Sequence, residues 1–173
     1  MGDTLITIIV IVLSAILIFV FPVLSMADRI DTASQTDVET ITSDFVNQIR
    51  STGKLTKDEY DVFLGKLTST GNTYNIDLEF RIMDENARKK ALQSALDKIG
   101  ENVYYSVYTT QIEQILDTEG VYKLKEGDMV FTTVKNTNLT FSQQMKNIFY
   151  LMSGNNVYTI QASQAGLVTA TGN

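Results

Sequence analysis

The sequence predicts an α+β fold, in which a long N-terminal transmembrane and stalk helix precedes a small antiparallel sheet packed with helices. Three observations predict it. An uncharged apolar run fills the first part of the chain, and apolar residues then recur at helical spacing as far as Arg50. Beyond Gly53, alternating stretches mix with capped helical ones without regular βαβ repetition. The expected organisation is a transmembrane anchor over 1–27, a helical stalk over 28–53 and an extracytoplasmic α+β domain over 54–173. A chain of 173 residues has room for one such domain, since domains commonly need about 100–150 residues to bury a core.

Leu5 to Leu24 reads LITIIVIVLSAILIFVFPVL, with sixteen Leu, Ile, Val or Phe residues and no charge. At about 1.5 Å per residue, twenty residues cover about 30 Å, the thickness of a bilayer's hydrocarbon core. Insertion is favourable by on the order of 5 kcal/mol, only partly offset by Thr7, Ser14 and Pro22. The competing expectation is a cleaved secretory signal, because Ser25-Met26-Ala27 has the small-x-small pattern of a signal-peptidase site. Against it stand the length of the run and the lack of Lys or Arg before it. Only Arg29 follows within twenty residues, so little positive charge opposes translocation of what comes after. Pro22, the single proline, lacks an N–H and crowds the carbonyl of Ile18. It either kinks the helix or marks its exit from the membrane.

In the stalk, Val38, Ile41, Phe45, Val46 and Ile49 share one helical face, and Gly53 suits the left-handed position that ends a helix. Thr56 and Glu59 form a capping box with Leu55 and Tyr60 as its hydrophobic staple, and Tyr60, Phe63, Leu64 and Leu67 continue as a helical stripe. Gly71-Asn72 breaks that helix. Tyr74, Ile76, Leu78, Phe80 and Ile82 then alternate with polar residues, as a strand with one wet face does. Leu92, Ala95, Leu96 and Ile99 suggest a short helix ending at Gly100. Over 103–118 a helical stripe competes with a strand beginning at Val103-Tyr105-Val107. Lys125 to Asp128 reads as a turn and Met129 to Lys135 as a strand. Thr140 with Gln143 opens a last helix, lined by Phe141, Met145, Ile148, Phe149 and Met152 and stopped at Gly154. The closing VYTIQASQAGLVTATG suggests a long strand with a bulge near Ala165-Gly166.

Composition narrows the chemistry. With no cysteine and no histidine, thiolate catalysis, His-based triads and the usual zinc sites are excluded. Setting aside Asp3 leaves 19 acids against 14 bases, a net charge of −5 beyond the anchor and no partner for nucleic acid. Asp58, Asp61, Asp84, Glu85, Glu126 and Asp128 are the available carboxylates, but they fall at helix starts, strand ends and turns, where acids cap and solvate. No calcium-loop, phosphate-loop, dinucleotide or nucleophile-elbow motif occurs, so neither a cofactor nor enzymatic activity is expected. Asn138-Leu139-Thr140 matches a glycosylation sequon, although Thr140 already serves as a helix cap. Tyr104, Tyr105 and Tyr108 are expected to pack a core with their hydroxyls at its edge rather than to form a binding surface.

Gly2-Asp3-Thr4-Leu5-Ile6 opens an apolar helix that contains Pro22, continues to Arg50 and leads into a small α+β domain. With the stretches KIGENVYYSVYT, LKEGDMV and VKNTN, this arrangement resembles the TadE-like and pseudopilin-like subunits of bacterial type IV filament and tight-adherence systems, particularly those of Gram-positive bacteria. It departs from type IV pilins in carrying Thr7 where they carry glutamate, and in having only Met1 where a basic leader precedes the cut. The resemblance implies processing between Gly2 and Asp3, the alternative cut being after Ala27. It also implies a structural role, with the bilayer and other filament or secretion-system subunits as partners. Leu5, Ile9, Leu13, Leu17 and Pro22 are then the anchoring and assembly residues of a single-pass cell-membrane protein. The alternative is an extracytoplasmic binding or sensor domain that uses the helix only as a tether.

Overall fold

The computed structural model describes residues 2–84, 104–140, 142–144 and 159–172. Helix α1 runs unbroken from Gly2 to Thr52. It is followed by β1 (Lys54–Thr56), α2 (Lys57–Thr68), β2 (Tyr74–Met83), β3 (Tyr104–Tyr108), α3 (Thr109–Glu119), β4 (Val121–Lys123), β5 (Met129–Asn136) and β6 (Gln161–Leu167). This is the expected α+β layout. The main sheet has the order β3-β2-β5-β6 with every neighbouring pair antiparallel, and β1 pairs with β4 in a separate ribbon.

The core lies between the C-terminal half of α1, helices α2 and α3, and one face of the sheet. Val38, Phe45, Val46 and Ile49 of α1 meet Tyr60, Phe63 and Leu67 of α2 and Ile112 and Leu116 of α3, over Leu78, Phe80, Val130, Val134 and Ala162 of the strands. Phe45 and Phe63 stack with ring centroids 3.9 Å apart and planes within 9°, an arrangement that adds to the gain from burying both rings. Residues 31–49 of the helix and the sheet thus share a single core. Ile41, on the expected apolar stripe, sits at its margin, while Thr42 is fully buried and donates its hydroxyl to the carbonyl of Val38 at 2.6 Å.

The helix also borders the edge strand β6. Near one end of β6, the Gln35 amide accepts from the Gln161 N–H at 3.0 Å and donates to its carbonyl at 2.7 Å. Near the other, Arg50 Nε donates to the Leu167 carbonyl at 2.9 Å, and the Arg50 carbonyl accepts from the Thr169 N–H at 3.0 Å. α1 and β6 therefore run in the same direction, and these bonds occupy backbone groups that an edge strand otherwise exposes.

The local signals act as their chemistry requires. The Thr56 hydroxyl accepts from the Glu59 N–H at 3.3 Å while the Glu59 carboxylate accepts from the Thr56 N–H at 2.9 Å, completing the first capping box beside the buried pair Leu55 and Tyr60. Thr140 and Gln143 make the same reciprocal bonds at 3.2 and 3.0 Å where the chain turns helical at 142–144. The expected helix ending at Gly100 lies, beyond Asp84, outside the described residues, as does the continuation of the 140s helix to Gly154. Between 103 and 118 both competing periods are real in sequence: a strand to Tyr108, then a helix from Thr109. The switch falls at Thr109, whose hydroxyl accepts the Leu78 N–H at 2.8 Å and so continues the strand's pairing by side chain.

Two expectations are corrected. β6 has no bulge, because its pairing with β5 is continuous from Lys135↔Gln161 to Met129↔Leu167. Gly166 instead clears a path for Arg50, whose aliphatic stem occupies the place a Cβ would take. Tyr105 and Tyr108 are exposed rather than in the core. β3 is an edge strand, and Tyr108 projects from its wet face opposite Glu79. Tyr104, half-buried, hydrogen-bonds the Gly127 carbonyl at 3.2 Å.

Gly53 joins the helix to everything after it. At φ +68°, it donates to the Ile49 carbonyl at 2.8 Å and accepts from the Leu124 N–H at 2.7 Å. A Cβ there would collide with the backbone of Ala170. Gly71 has a similar φ of +80° but open space around it. Gly71→Ala should therefore cost about 1–2 kcal/mol for the left-handed backbone alone. Gly53→Ala should cost about 3 kcal/mol or more, since the tail must also move. Urea denaturation of the detergent-solubilised chain, followed by tyrosine fluorescence, checks the order; equal losses would contradict it.

Candidate membrane anchor and its junction with the head

Residues 2–30 of α1 make no core. Leu5, Ile9, Leu13 and Leu17 are each more than half exposed, as are Phe19, Phe21 and Ile30, and no part of the most apolar window is buried within the chain. An exposed apolar surface of this extent is unfavourable in water and matched to hydrocarbon. The helix is long and apolar enough to cross a bilayer. Pro22 lies exposed within the continuous helix, Gly2 has open space where a Cβ would stand, and Ser25-Met26-Ala27 is mid-helix with Ala27 half-buried.

The character of α1 changes at Asp31. From there, Asp31, Ser34, Val38, Thr42, Phe45, Val46 and Ile49 are buried on one face. The apolar stripe visible in the sequence starts only at Val38, because the members before it are polar. The same spacing of three and four, followed backward, reaches Ser34 and Asp31. Partners for this end of the helix come from the segment after β5: the Thr140 hydroxyl donates to Asp31 Oδ2 at 2.9 Å, and the Ser142 hydroxyl donates to Asp28 Oδ1 at 2.8 Å. Thr140 thus caps one helix and binds another. Between α1 and the segments around Asn72 and Thr140 lies a cleft of about 270 Å³.

At the opposite end of the head, carboxylates serve structure. Asp128, almost fully buried, accepts the N–H of Met83 at 2.8 Å and of Lys125 at 2.7 Å, fixing the Gly127 turn. Asp61 and Asp117 pair with Lys57 at the surface. Among the described residues, no group of three acids converges to hold a metal. The Tyr122 hydroxyl is pushed up to about 12, first by burial and then by the neighbouring Tyr105.

Glu59 ties α2 to α1. Burial would raise its carboxyl, but donors from Thr56 and from Gln48 of α1, the latter at 2.6 Å, outweigh it and hold the group below its ordinary 4.5. Glu79 is also held low, by Arg81 and then Ser106. A depressed carboxyl contributes stability that is complete above the unfolded-state value and is lost as pH falls through the folded-state value. Stability should therefore decline below about pH 4.5. Glu59→Gln should shrink, without abolishing, the drop in urea midpoint between pH 6 and pH 3.5, because Glu79 still titrates. An unchanged drop would remove Glu59 from the linkage.

No protein-family model matches the chain, and no curated protein or solved structure matches it either.

Proposed function

We propose that the chain is a non-enzymatic, membrane-anchored subunit of a surface filament or secretion assembly, of the TadE-like and pseudopilin-like kind, with its head outside the cytoplasm. The observation that carries this reading is the continuity of α1. An exposed apolar helix passes without a linker into the core of the head, where its own side chains stack, cap and hydrogen-bond the sheet. A subunit that assembles through its membrane helix needs a head held at a fixed angle to that helix, and this construction supplies one. A tether for a binding or sensor domain has no such need. With Arg29 alone among the twenty residues after the apolar run, little positive charge opposes export of the head.

Two changes separate the readings. Scrambling residues 5–24 with their apolarity retained preserves insertion, and placing a Gly-Ser hinge between Ala27 and Asp28 preserves both insertion and the head. In the assembly reading each should reduce cross-linking of the chain into higher-order complexes in native cells by at least about tenfold, the loss expected when a packed interface forfeits a few kcal/mol. Undiminished complexes in both variants would favour the tether. Digestion of the head by protease added to intact cells would locate it outside.

A further inference from the structure

The cleft at the foot of the head holds more polar bonding capacity than its described hydrogen bonds use. Asp31 is only 4% exposed, and its sole described partner is the neutral Thr140 hydroxyl. A carboxylate buried to this degree is ordinarily paired with a cation. Ser34, 7% exposed, has no hydrogen-bond partner among the described residues. Asn72, 9% exposed, accepts from the Asn138 amide at 3.0 Å, while its own Nδ2 has no acceptor among the described residues. All three line the cleft, and among the described residues that line it there is no lysine or arginine. An under-paired carboxylate beside two buried polar groups with bonding capacity to spare suits a cation that carries N–H donors.

The position of the cleft says where that cation resides. Its lining includes Ala27 and Asp31. These lie three and seven residues beyond Leu24, about 4.5 and 10 Å along the helix axis. The headgroup layer extends about 5–8 Å beyond the hydrocarbon on each side. The Ala27 end of the cleft therefore lies within the headgroup layer, and Asp31, whose side chain slants back toward the helix N-terminus, stands just beyond its outer edge. We infer that the cleft binds the primary ammonium of an aminophospholipid headgroup. Asp31 and Ser34 accept from the ammonium, and the Asn72 amide donates to the adjoining phosphodiester. A bare phosphate finds no cation among the described lining residues, and a trimethylammonium has no N–H to give Asp31. A hard divalent ion prefers six to eight oxygens, and no three acids converge among the described residues. This inference rests on the membrane-anchor reading.

The test uses the full chain in nanodiscs of phosphatidylglycerol mixed with either phosphatidylethanolamine or phosphatidylcholine, with the lipid retained on the released protein measured by native mass spectrometry. The wild-type chain should retain phosphatidylethanolamine over phosphatidylcholine by on the order of tenfold, the value of a charge-assisted hydrogen bond. Asp31→Asn should bring the ratio close to one. Ser34→Ala, which removes no described bond within the head, should lower it severalfold with the near-ultraviolet circular dichroism unchanged. Equal retention of the two lipids by the wild type, a ratio unmoved by both substitutions, or replacement of the lipid by calcium at millimolar concentration would overturn the assignment. So would carbodiimide coupling of Asp31 to a protein lysine in place of the lipid amine. Failure of the chain to enter nanodiscs would overturn the anchor reading as well, whereas insertion without lipid preference would overturn this inference alone.

Discussion

Everything in this fold depends on one continuous helix whose two halves carry different surfaces. The first half of α1 presents apolar side chains in every direction, and the second half confines them to a stripe that the sheet and α2 cover. A helix that is apolar all round gains nothing from water along its length, and a striped one cannot be left alone in lipid. The transition between them, from Leu24 to Asp31, therefore sets where the head begins on the helix. The polar contacts of Asp28 and Asp31 with Ser142 and Thr140 sit at that transition, so among the described residues hydrogen bonding to the head begins within two turns of Leu24, where the apolar run ends.

The head in turn uses α1 as a substitute for a further strand. β6 is an edge, and its neighbour on the outer side is a helix that offers Gln35 at one end and Arg50 at the other. Gly166 admits the Arg50 stem, and Gly53 lets the chain turn from helix to ribbon while the C-terminal segment packs against its backbone. Side-chain bonds to an edge strand discourage pairing with other chains. The same bonds fix the head's orientation on the helix, so protection of the edge and alignment with the anchor come from one set of residues.

Much of this is legible in the sequence, for reasons that differ by element. The anchor, α2 and β2 are readable because a single local rule dominates each: unbroken apolarity, a capping box with its staple, and strict alternation. The turn at Gly127 and the left-handed Gly53 follow from glycine's backbone freedom. What local rules cannot supply is tertiary. The β1–β4 ribbon consists of three-residue strands too short to carry a period. The tyrosines of β3 look like core residues because strand order, which puts them on an edge, is not encoded within the strand itself. The polar half of the α1 stripe is invisible to an apolar pattern: the partners around Asp31 lie more than a hundred residues away in the chain, and hydrophobicity alone does not mark it or Ser34.

The parallel alignment of α1 with β6 has a mechanical corollary. A pull on the anchor along its axis loads the helix against the sheet in shear. The Gln35 and Arg50 clasps and the Phe45–Phe63 stack must then yield together rather than one after another. Force directed across the axis would instead peel the head away from Asp28 upward, bond by bond. The molecule is built to be strong lengthwise and weak sideways.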